Sequence, residues 1–98
     1  MEANIGALET RQPAHSTLAR YVEVAKILTG QKDATARDGA RWASELVATL
    51  NIPGFSTYGM SEENFPEAVE KTMKANSFKG NPVPLNEKEL RAILEKAL

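Results

Sequence analysis

The sequence predicts an all-α protein, a compact bundle of about five helices forming a single domain over residues 1–98. Three observations predict it. Apolar residues recur at helical spacing in five segments. Helix-capping residues and breakers separate those segments. No segment alternates apolar and polar residues over the length of a strand; residues 52–60 could be briefly extended, but they contain Pro53, Gly54 and Gly59.

The first helix is expected over residues 1–11. Ile5, Ala7 and Leu8 share a face, Glu2, Glu9 and Arg11 prefer water, and Pro13 stops the segment. Gly6 weakens it by about 1 kcal/mol relative to alanine. The second is expected over 16–29, capped by Ser16 or Thr17, with Leu18, Tyr21, Val22, Ala25 and Leu28 at helical spacing and Gly30 as a left-handed stop. The third spans 36–50. Thr35 and Asp38 form a short capping box, and Trp42, Ala43, Leu46, Val47 and Leu50 form a broad apolar stripe that ends at Asn51-Ile52-Pro53-Gly54.

The fourth helix is expected over 61–75. Ser61 is its N-cap, and Glu62 and Glu63 favour the positive end of the helix dipole. Pro66 can separate a short opening turn, 61–65, from the main helix, where Phe65, Val69 and Met73 fall four apart. Residues 76–85 contain Gly80, Asn81, Pro82 and Pro84 and read as a loop. The last helix runs over 87–97, with Asn86 as N-cap, Glu89 as its reciprocal partner, and Leu90, Ile93, Leu94 and Ala97 facing inward.

The bulk composition narrows the function classes. Net charge is −1, with acids and bases interspersed, so the basic stripe of a nucleic-acid binder is missing and no nucleic-acid partner is expected. No stretch approaches the roughly 20 apolar residues of a membrane span, and no membrane partner is expected. Residues 1–10 carry Glu2 and Glu9 and lack the apolar run of a signal peptide. The absence of cysteine excludes disulfides, thiolate metal sites and cysteine nucleophiles. A cytoplasmic location is expected.

Catalytic sets do not assemble from the residue types present. A zinc or iron centre needs three or four convergent ligands, and the chain has one histidine, His15, expected in an exposed loop. A serine nucleophile needs an adjacent base held by a third group, and His15 beside Ser16 does not give that geometry. Glu62-Glu63 and Glu87/Glu89 each open a helix, so dipole complementarity and capping explain them better than acid–base work. The Lys79-Gly80-Asn81-Pro82 stretch lacks the glycine spacing of a phosphate loop. Trp42, Tyr21, Tyr58 and the phenylalanines have no grouped basic residues and read as core. No catalytic, cofactor-binding or metal-ligating residue is assigned.

Several strings nevertheless resemble one family. Ala19-Arg20-Tyr21 leads through Val22, Val24 and Ile27 to a glycine stop at Gly30. Leu50-Asn51-Ile52-Pro53-Gly54 resembles a leucine-glycine-isoleucine-proline step, with Asn51 in place of the usual glycine. Tyr58-Gly59-Met60-Ser61-Glu62 resembles a glycine-hydrophobic-x-acidic turn, and Asn81-Pro82 with the closing residues 85–98 resembles the terminal segment. In that order they are similar to the C-terminal part of the helical domain of iron-containing (group III) alcohol dehydrogenases. Met1-Glu2-Ala3-Asn4 also resembles a string inside that domain, so the resemblance implies a chain that starts part-way through it.

The resemblance implies a parent enzyme that uses NAD(P) and iron or zinc. Its metal ligands, an aspartate and three histidines, and its glycine-rich nucleotide site belong upstream of the matched part. It therefore implies no cofactor for this chain, and transfers only a pocket-wall role to Ser77, Phe78 and Lys79. The expected function is a stand-alone helical module derived from such a domain, without catalytic activity by itself. The alternative is a component of an NAD- and metal-dependent alcohol dehydrogenase completed in trans by a separate nucleotide- and metal-binding chain. Apolar faces without partners lead to an expected homo-oligomer, a two-fold dimer.

Overall fold

In the computed structural model, which describes all of residues 1–98, every regular element is helical. No helix is long and apolar enough to cross a membrane. The chain divides into two units, Met1–Ile52 and Pro53–Leu98.

The first unit holds α1 (Glu2–Arg11), α2 (Ser16–Thr29) and α3 (Ala36–Thr49). At 10 residues, α1 is too short to persist in isolation, so packing must hold it. Ile5 and Leu8 are fully buried, each worth about 1.5–3 kcal/mol of transfer free energy. Ile5 joins Ala36 and Ala40 in a cluster against which Leu18, Tyr21 and Val22 pack. The Asn4 amide donates to the Tyr21 hydroxyl at 3.1 Å, and Arg37 pairs with Glu9.

Small residues set the α2–α3 crossing. A Cβ on Gly39 would stand 2.8 Å from the Ala25 Cβ and 2.9 Å from its Cα, so only glycine permits this approach. The crossing corrects the expected α3 stripe. The buried positions are Ala36, Gly39 and Ala40. Trp42 and Ala43 are half-buried, and Leu46, Val47 and Leu50 lie exposed, Leu50 by 60%. The apolar face continues along the helix, but α1 and α2 cover only its small-residue half.

Local signals close the helices. Gly30 takes φ +68° and its N–H donates to the Lys26 carbonyl at 3.0 Å. The Thr35–Asp38 box forms in both directions: Thr35 N–H donates to Asp38 Oδ2 at 2.8 Å, and Asp38 N–H to Thr35 Oγ1 at 3.3 Å. Asn51 ends the unit's last turn at φ +54°, the left-handed region that glycine occupies at no cost and asparagine tolerates.

The second unit contains two 3₁₀ turns, Phe55–Tyr58 and Glu62–Asn64, then α4 (Phe65–Lys74), α5 (Asn76–Lys79) and α6 (Glu87–Ala97). Residues expected to be briefly extended instead form the first 3₁₀ turn, which Gly59 closes at φ +87°. Ser56 N–H donates to the Leu98 carbonyl at 2.9 Å, and a Cβ on Gly54 would collide with that same carbonyl. Pro66 falls at the start of α4, where its missing N–H costs no helical hydrogen bond, and the second 3₁₀ turn is the separate opening turn that Pro66 foreshadows. Packing of α4 on α6 accompanies the burial of Phe65, Val69 and Leu90, with Val83 and Leu85 buried in the intervening segment.

Five helices were expected and six form. The additional one is α5, a single turn inside the expected loop. After it, the Asn81 amide donates to the Val83 carbonyl at 2.6 Å and folds the chain around Pro82, which carries Val83 into the core.

Candidate functional site

Each side chain with chemical potential can be followed to its place. His15 is not an exposed loop residue: it is the N-cap of α2 and is half-buried. Its Nδ1 accepts the Thr17 N–H at 3.1 Å, so the cap falls one residue before Ser16. That nitrogen is the unprotonated one in this arrangement. Asp38 is occupied by the α3 box, and the Thr35 backbone N–H, then the Thr35 hydroxyl, hold its carboxyl below the usual aspartate value.

Five acids of the second unit are similarly engaged. Glu89 Oε2 accepts the Asn86 N–H at 2.8 Å, while Asn86 Oδ1 accepts the Glu89 N–H at 2.9 Å. Glu62 lies 3.4 Å from Arg91, which also bonds Glu95 at 2.9 Å. The Arg91 guanidinium sits 5.3 Å from the Phe65 ring centroid, within cation–π range. On α4, Glu67 pairs with Lys71, which lowers the carboxyl and raises the ammonium, and Glu70 pairs with Lys74.

Two concavities bring such side chains together. In the first unit, Asp33, Asp38, Arg41, Trp42 and Glu45 line a shallow hollow of about 360 Å³ near the start of α3. In the second, a groove of about 570 Å³ runs between α4 and α6. Its floor is Phe65, Val69 and Met73; Glu70 and Lys74 stand along one wall, and Glu87 and Arg91 along the other. The four-residue spacing of Phe65, Val69 and Met73 pointed to one apolar face. It did not show that Met73 would stay 42% exposed at the groove's open end.

Ser77, Phe78 and Lys79 lie on α5, with Phe78 half-buried and the other two exposed. None of the three lines the groove.

The architecture is that of an all-helical domain without strands. A family model described as Fe-containing alcohol dehydrogenase family, C-terminal, matches residues 7–98, and the chain belongs to that family. No curated protein and no solved structure gives a significant match.

A family metal would need three or four donors converging on one point. No three His, Cys, Asp or Glu side chains gather in that way, and His15, the single imidazole, commits Nδ1 to Thr17. The residues of this chain do not fit such a centre.

Proposed function

We propose that this chain is a helical module of the iron-containing alcohol dehydrogenase family that does not catalyse turnover by itself. The observation that carries this reading is the use made of its polar residues. His15, Asp38 and Glu89, three of the side chains best suited to acid–base or metal chemistry, each hold a helix N-terminus. Freeing any of them for chemistry would leave a backbone N–H without its partner, at a typical cost of about 1 kcal/mol. No cofactor is assigned to the chain, and Ser77, Phe78 and Lys79 keep only a wall role. The proposed location is the cytoplasm, to be tested by cell fractionation.

A second reading has support from exposed apolar side chains. Val24 and Ile27 on α2, Leu46 and Val47 on α3, and Leu50 just after it face outward, Ile27 by 80%. Such residues suit a surface against which further protein packs. In this reading the chain is the helical component of an NAD- and metal-dependent alcohol dehydrogenase whose nucleotide and metal sites lie on a separate polypeptide.

One experiment separates the two. The purified chain is assayed for NAD(P)-linked oxidation of short alcohols with added iron(II) or zinc, alone and mixed with the separately produced nucleotide- and metal-binding part of a family member. The first reading expects no turnover in either tube. Activity only in the mixture establishes the second reading, and activity of the chain alone overturns both.

A further inference from the structure

We draw no further inference here: the strongest candidate, the apolar groove between α4 and α6 floored by Phe65, Val69 and Met73, has walls that each carry both an acid and a base, and nothing in the structure shows what covers it.

Discussion

At the scale of single residues, backbone geometry gives the sharpest expectations. Asn51 holds φ +54°, the only positive φ outside glycine. Replacing it with glycine should leave the urea midpoint unchanged or slightly raised. Valine, which resists the left-handed region, should lower stability by about 1–2 kcal/mol. Gly39 and Gly6 make an opposed pair. A methyl at Gly39 meets Ala25 within 2.9 Å, so Gly39→Ala should destabilise by about 1–3 kcal/mol. Gly6 has open space where its Cβ would be, so Gly6→Ala should stabilise α1 by up to about 1 kcal/mol. Thermal melts of the two variants should shift in opposite directions.

Asp38 supplies the pH dependence. Its folded-state value lies below the ordinary one, so folding favours the carboxylate. The contribution is present above the unfolded value, near pH 4, and is lost as pH falls through the lower folded value. Asp38→Ala should therefore melt below the unaltered chain at neutral pH, and the gap should narrow on acidification below about pH 4.

At the scale of elements, what could be read from sequence was what is local. The Thr35–Asp38 and Asn86–Glu89 boxes need only four consecutive residues, and both form as the sequence indicates. Glycine stops and the Pro66 break are local in the same sense. His15 was missed as a cap because the adjacent Ser16 and Thr17 are the commoner choice, although an imidazole nitrogen accepts an N–H as well as a hydroxyl does. The covered half of α3 was not legible, because the crossing at Gly39 and Ala25 joins residues 14 apart in sequence (39 − 25). The groove was half legible: its apolar floor follows α4 periodicity, but its opposite wall belongs to α6. Asn86→Ala should cost about 1 kcal/mol. Hydrogen exchange should register the loss first in the opening turn of α6, with the α3 amides unchanged.

At the scale of the whole molecule, 98 residues leave little surplus stability, so polar groups that build the fold are not readily released for other work. The chain belongs to the iron-containing alcohol dehydrogenase family, whose name is that of a metal enzyme. His15, Asp38 and Glu89 are placed at helix ends, and Glu9, Glu62, Glu67, Glu70 and Glu95 in surface ion pairs. That division is the centre of the account, and metal retention tests it most directly. The purified chain is equilibrated with iron(II) or zinc at neutral pH, dialysed against metal-free buffer and analysed for bound metal. The account predicts far less than one ion per chain, with no change on His15→Asn. One ion retained per chain, and released by that substitution, would contradict it.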